Sequence, residues 1–278
     1  MVYGKSIELF LVNGSADSLV TAELSNWNGK AIRIPRTEIA SCNRTDITQA
    51  GVYFLFCKQD DDTEAVYIGE SENIKERLVQ HIRDFNADKE KYYWNTAVIF
   101  IGSDLNKSLI RYLEDRFVTI AKQCKRYTVL TKNTYSKTVI KESQKAAMEE
   151  FIDNVKIVIN ALGYNVLEPK AQPEADGTEN MLFMNYGSAK AKGKRTSDGF
   201  VVLTGSTINA TTTKACPDSA IKNRTKYEKS IDENYRLTDD LLFSSPSGAA
   251  SFVGGSALSG NELWKDKNGT KLKDIDPV

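Results

Sequence analysis

Short apolar runs with a period of two alternate along this chain with longer stripes of period near 3.6, and the two patterns predict its elements in turn. Ser6–Val12 and Leu19–Leu24 read as strands parted by the turn-forming pair Asn13-Gly14. Asn28-Gly29 then separates Leu24–Trp27 from Ala31–Ile34, a favoured signal for a two-residue type I′ hairpin. Pro35 to Ala40 is placed to begin a short helix. Val52–Cys57 and Ala65–Ile68 are the next two strands, joined by the acidic loop Gln59–Glu64. Ser71 is a suitable N-cap for a helix whose apolar stripe is Ile74, Leu78, Ile82 and Phe85. Thr96–Ile101 reads as a third strand, and a helix from about Lys107 to Gln123 sets Leu109, Leu113, Phe117 and Ile120 on one face. Glu142–Leu162 is a further amphipathic helix, stopped by Gly163.

Beyond Glu168 the periodicity lapses. Pro169, Pro173, several glycines and alternating charges leave little to bury, so 168–199 reads as a linker in which only Met181–Met184 is expected to pair briefly. Structure resumes with a strand at Phe200–Leu203, a basic helix over Pro217–Ser230 and a short helix over Pro246–Val253 capped by Ser245. A hairpin closes the chain, Glu262–Lys267 and Thr270–Lys273 flanking Asn268-Gly269. The expected division is an N-terminal β unit at 1–48, an α/β domain at 49–168, a linker at 169–198 and a small α+β domain at 199–278.

Composition adds little to this picture but excludes several classes. The 278 residues are 41% hydrophobic and 27% charged, as in ordinary globular proteins. The longest apolar stretches, such as Val52–Cys57 and Ala97–Ile101, are far too short to span a bilayer, and the first residues lack the apolar core of a signal peptide. A cytoplasmic location and no membrane partner are therefore expected. Cys42, Cys57, Cys124 and Cys216 are scattered without C-x-x-C spacing, and with one histidine in the chain they offer no zinc framework.

Charge is balanced overall, 37 basic against 37 acidic residues, which gives no general attraction for a polyanion. It is uneven, however. Between Asn185 and Arg236 basic residues outnumber acidic ones, leaving a surplus of five positive charges that serves equally as a phosphate-facing surface or as a solvated charged face.

The chemistry concentrates in one stretch. Gly51-Val52-Tyr53 and Tyr67-Ile68-Gly69 stand at the ends of the two paired strands. Arg77 and His81, the single histidine, follow one helical turn apart on one edge of the next helix. Glu114 borders the apolar stripe of the following helix, and Asn133 lies in the polar turn Leu130–Ser136. Taken singly, each has a bland reading. Strand tyrosines pack with a wet tip, Arg77 has Glu70, Glu76 and Asp84 within reach as ion-pair partners, Glu114 has Arg111, and asparagine caps turns.

In this order the residues resemble the GIY-YIG nuclease family, over roughly Gly51 to Asn133. The first motif differs only in carrying valine where the family has isoleucine, which keeps a β-branched packing residue. The resemblance implies a small mixed sheet flanked by helices and a magnesium- or manganese-dependent endonuclease. By residue, it implies Tyr53 as general base, Tyr67 and His81 as its orienting partners and Arg77 as the stabiliser of phosphate charge. Glu114 becomes the single protein ligand of the metal, with Asn133 positioning phosphate or water. Gly69 allows close approach of a phosphate or simply makes the turn. A free tyrosine is phenolate only to about one part in a thousand at pH 7, so Tyr53 needs help from Arg77, His81 or the metal. The gap between the motifs is long and holds Asp60-Asp61-Asp62, a loop expected to point away from a polyanion.

The C-terminal part resembles an uncharacterised domain fused to bacterial nucleases of this kind, through Asp198–Ser206, Ser245–Val253 and Trp264–Gly269. It is expected to select substrate, with Lys222, Arg224 and Lys226 of the basic helix and Trp264 as contacts; hairpin packing is the other reading of Trp264. The partner is expected to be DNA, with RNA open. The alternative function is a module that holds nucleic acid in the same pocket without cutting it. Gly187–Lys194 is one residue too long for a phosphate-binding P-loop and is followed by Arg195, not Ser or Thr.

Overall fold

The computed structural model describes residues 3–59, 63–132, 138–170 and 181–275. The chain divides into two compact units, Met1–Pro169 and Lys170–Val278.

The first unit is built on a seven-stranded sheet of order β1-β2-β3-β6-β4-β5-β7. In chain order its strands are β1 (Ile7–Leu11), β2 (Val20–Leu24), β3 (Gly29–Pro35), β4 (Gly51–Lys58), β5 (Glu64–Ser71), β6 (Trp94–Gly102) and β7 (Thr128–Val129). All pairings are antiparallel except β5 with β7. The mixed α/β class is thus as expected. The N-terminal strands are not a separate unit, because β3 pairs with β6 along its full length and carries β1 and β2 into the same sheet. Nor is the β2–β3 connection a two-residue turn. The ladder closes at Glu23 opposite Lys30, and the strands are joined by the four residues 25–28, in which Asn26 takes the left-handed conformation. Gly29 belongs to the strand, where the Trp27 ring lies over it and leaves no room for a Cβ.

Three helices cover the sheet. Helix α1 (Ile74–Asn86) packs on one face, while α2 (Lys107–Cys124) and α3 (Glu142–Ala161) pack on the other. Strand β4 is buried on both sides, and its alternation divides it between two cores. Val52, Phe54 and Phe56 join the α2/α3 core, whereas Tyr53, Leu55 and Cys57 join the α1 core. Helix α1 is capped by Asn73, whose side chain accepts from the Glu76 amide. Ser71, the expected cap, is instead the last residue of β5, and its hydroxyl accepts from the Asn73 amide.

The second unit holds a four-stranded antiparallel sheet of β8 (Leu182–Tyr186), β9 (Ala189–Thr196), β10 (Gly199–Val202) and β11 (Leu241–Phe243), in the order β11-β10-β9-β8. Two of these strands occupy the stretch expected to be linker. The alternation there pairs small buried residues, Ala189, Ala191 and Gly193, with exposed or half-buried lysines, so it lacks the large apolar residues that mark a strand. Helices α4 (Asp218–Lys226) and α5 (Pro246–Gly254) follow, and Ser245 caps α5 by accepting from the Gly248 amide at 3.1 Å. The expected terminal hairpin is reduced to a bridge between Lys265 and Lys271, flanked by the short helices α6 (Gly260–Leu263) and α7 (Leu272–Ile275).

Candidate active site

The β4–β5 ladder sets Tyr53 directly opposite Gly69 and Leu55 opposite Tyr67. Both tyrosines therefore lie on the α1 face of the sheet, their rings stacked with centroids 6.3 Å apart. Space for Tyr53 is made by Gly69, where a Cβ would stand 2.4 Å from the Tyr53 hydroxyl. Gly51 is equally constrained, since a Cβ there would meet the Phe100 carbonyl oxygen at 2.3 Å. Two glycines at the strand ends are thus required by close approach and need no special backbone conformation.

Helix α1 presents its polar residues to this pair. His81 is fully buried, with Nε2 2.9 Å from the Tyr53 hydroxyl and Nδ1 2.6 Å from Glu90 Oε1. Burial, with the guanidinium groups of Arg77 and Arg36 adding to it, pushes the imidazole down to about 3, so His81 is neutral at pH 7. Arg77 stays charged. Burial works to lower its pKa, but hydrogen bonds to the Tyr53 and Tyr67 hydroxyls hold it above the ordinary arginine value. The guanidinium thus faces the two phenols. Tyr53 is pushed well up by burial and by Tyr67, with Arg77 pulling the other way, and Tyr67 is raised by burial against the same cation.

Glu114 approaches from α2. Just past β7, Thr131 continues the edge of β5 by pairing both backbone groups of Ile68 through its hydroxyl at 2.7 Å. Glu114 is 8% exposed, and burial together with Glu70 raises its carboxyl to about 7, while Lys107 draws it down. It also raises the pKa of both Tyr53 and Tyr67, which places all three in one electrostatic field. Glu70 itself is held by Lys107 at 2.8 and 2.9 Å and faces Arg111 at 3.7 Å. Asn133 and Asp60–Asp62 lie outside the described residues.

Five of the six core candidates are thus drawn to one place: two phenols, a guanidinium, a neutral imidazole and a buried carboxylate with raised proton affinity. Residues 49–128 match the GIY-YIG catalytic domain, and residues 182–276 match a Domain of unknown function (DUF4357) C-terminal to it. The chain carries a GIY-YIG catalytic domain. A nuclease-type function, and nucleic acid as the substrate class, follow from that domain. No curated protein and no solved structure matches the chain.

The candidates in the DUF4357 domain fare differently. Trp264 is fully buried, its indole N–H donating to the Pro246 carbonyl and its ring 4.6 Å from that of Phe200. Arg224 turns inward, donating to the carbonyls of Asn209 and Phe252 near the end of α5. Neither presents its polar group to a ligand; both hold the fold. Lys222 and Lys226 are the members of that set left on the surface, with Lys226 lying 5.6 Å from the Tyr227 ring centroid.

A divalent cation fits the GIY-YIG domain sparsely. Among the described residues no group of three or more His, Cys, Asp or Glu could enclose a metal. A single buried carboxylate held near 7 is what a cation would relieve, with water and substrate phosphate completing its shell. No helix among the described residues is long and apolar enough to cross a membrane.

Two contributors escaped the sequence. Glu90 lies on the α1–β6 connection, and Arg36 follows β3 in the segment read as independent. The only signal was the acidic residue nine positions beyond His81, which no periodicity distinguishes from a surface charge.

Proposed function

We propose that the protein is a metal-dependent endonuclease that hydrolyses phosphodiester bonds in DNA at the cluster of Tyr53, Tyr67, Arg77, His81 and Glu114. The single observation that carries this reading is the hydrogen bond from the Tyr53 hydroxyl to a neutral, buried His81 Nε2 at 2.9 Å. A phenol whose pKa is raised by burial does not ionise unaided; this contact orients its hydroxyl, and the Arg77 cation beside it favours the phenolate.

In the proposed step Tyr53, oriented by its hydrogen bond to His81 Nε2 and acting as phenolate beside the Arg77 cation, takes a proton from a water aligned with the phosphate. The water oxygen forms the new P–O bond as the bond to the leaving oxygen breaks, and that oxygen is protonated from solvent or by the Tyr53 phenol. Arg77, which already bonds both phenols, stabilises the phenolate and the charge gathering on the phosphoryl oxygens. Glu114 would hold the cation, which when bound supplies charge neutralisation for phosphate and leaving group. Tyr67 stacks on Tyr53 and completes the fork that orients Arg77. Asn133 keeps its proposed part in placing phosphate or water, and Gly69 gives the Tyr53 hydroxyl the space it occupies. Lys222 and Lys226 would give the DUF4357 domain sequence-independent contacts with phosphate.

The test is cleavage of supercoiled plasmid with magnesium or manganese and with EDTA, by the native protein and by Tyr53→Phe. Metal-dependent nicking that the variant lacks supports the assignment. Salt-sensitive binding with no cleavage under any condition would favour the non-cleaving module.

A further inference from the structure

We propose that Glu90 is a positioning residue for this site: its carboxylate fixes His81 in the Nδ1–H tautomer, leaving Nε2 to accept the Tyr53 hydrogen bond and aim that hydroxyl. This rests on the nuclease reading for its catalytic consequence, though not for its geometry. Glu90 Oε1 stands 2.6 Å from His81 Nδ1. An ionised carboxylate only accepts hydrogen bonds, so Nδ1 must donate. In a neutral ring Nε2 is then the acceptor, and the Tyr53 hydroxyl at 2.9 Å must donate to it. The direction of the Tyr53–His81 bond, on which base catalysis depends, is thereby decided outside the sheet and outside α1.

Glu90 is itself held on several sides. The chain leaves α1 through a left-handed Asp88, and the amides of Lys89 and Glu90 both donate to the Asp84 carbonyl. Tyr92, beside the carboxylate, stacks on Tyr67 with centroids 5.7 Å apart, while Glu90 Oε2 is buried with no hydrogen-bond partner of its own among the described residues. Behind it the Arg36 guanidinium is 7% exposed and lies against three aromatic rings, 4.7 Å from the centroids of Tyr93 and Trp94 and 5.1 Å from that of Phe85. Burial raises the Glu90 carboxyl, Arg77 and Arg36 pull it back toward the ionised form, and burial with the same two cations keeps His81 neutral. The influence of the cations on each group supports the same tautomer.

The chain has one histidine, so nitrogen-15 NMR of the full-length, histidine-labelled protein reads this ring alone. The native protein should show a protonated Nδ1 and an unprotonated Nε2. Glu90→Ala should mix the two tautomers and lower the cleavage rate by about 10²-fold at saturating substrate, with little change in KM. Glu90→Gln, whose amide oxygen accepts the same hydrogen bond, should restore most of the tautomer preference and part of the rate. A proton found on Nε2 in the native protein overturns the proposal, as does a Glu90→Ala variant with unchanged tautomer or unchanged cleavage. If the native protein cleaves nothing while the tautomer responds as described, the hold of Glu90 on His81 stands and the nuclease reading falls.

Discussion

Gly69 faces Tyr53 across the β4–β5 ladder so closely that one added carbon would stand 2.4 Å from the phenol oxygen. The Tyr53 ring is fully buried and packed against Tyr67 and His81, so it cannot swing aside as a surface side chain would. Gly69→Ala is therefore expected to displace the hydroxyl and break its bond to His81. Cleavage should fall by about 10²-fold or more while secondary structure, followed by circular dichroism, is retained. Wild-type activity in that variant would mean the Tyr53–His81 contact is not used.

Arg77 bonds two phenols at once, which requires a planar fork and not merely a charge. Arg77→Lys should therefore behave nearly as badly as Arg77→Ala, each losing roughly 10²–10³ in turnover. Steady-state kinetics of the pair would decide this, and a lysine variant close to native would reduce the role of Arg77 to a point charge.

Glu114 gives the clearest pH signature. Its native pKa, raised to about 7, exceeds that of the unfolded chain, so the folded state binds this proton more tightly. Its effect on stability is therefore least harmful below the unfolded value and grows as pH rises from about 4.5 through 7. Glu114→Gln should be more stable than native by roughly 1–3 kcal/mol at pH 8 and no more stable at pH 4, in denaturant melts without metal. Proton and cation compete for the same carboxylate, so metal affinity, measured by calorimetry, should rise between pH 6 and pH 8 in the native protein and not in the variant.

His81 has the opposite sign. Its pKa, lowered to about 3, lies below that of an unfolded histidine, so its contribution is intact above about 6.5 and is lost as pH falls toward 3. Up to roughly 4 kcal/mol of stability is at stake, with Glu90 tempering the loss by its hydrogen bond to the ring. Acid melts of native protein against His81→Gln isolate this from the carboxylates, and parallel curves would contradict a neutral buried imidazole.

Much of the site was legible because its residues recur at spacings that backbone geometry enforces. Tyr53 and Tyr67 are paired by a strand ladder, and Arg77 and His81 by one turn of helix. Glu90 was not legible, because a loop residue's aim is set by the tertiary path of the chain; Asp84 and Asp88 determine it, not a repeat. Arg36 was hidden in the same way, since only the β3–β6 pairing brings the N-terminal segment into the domain. Trp264 and Arg224, expected as contacts, turn inward for the converse reason, and for Trp264 packing was the other expectation. Aromatic and cationic residues suit nucleic acid, but they also suit a small core short of anchors, and here the Pro246, Asn209 and Phe252 carbonyls claim them.

That reassignment can be checked in the DUF4357 domain. Arg224→Ala leaves those carbonyls unpaired and should destabilise the domain by about 1–3 kcal/mol without changing the salt dependence of DNA binding. Lys222→Ala with Lys226→Ala should do the reverse, leaving the melt unchanged and lowering the slope of log affinity against log salt by about 1–2. Fluorescence anisotropy across a salt series separates the two.

The most direct measurement incubates supercoiled plasmid with the native protein, Glu114→Ala and Arg77→Ala, each with magnesium and with EDTA. Nicking by the native protein in magnesium alone, absent from both variants, is the expected result. Cleavage that persists in EDTA or in either variant would contradict the assignment of the site.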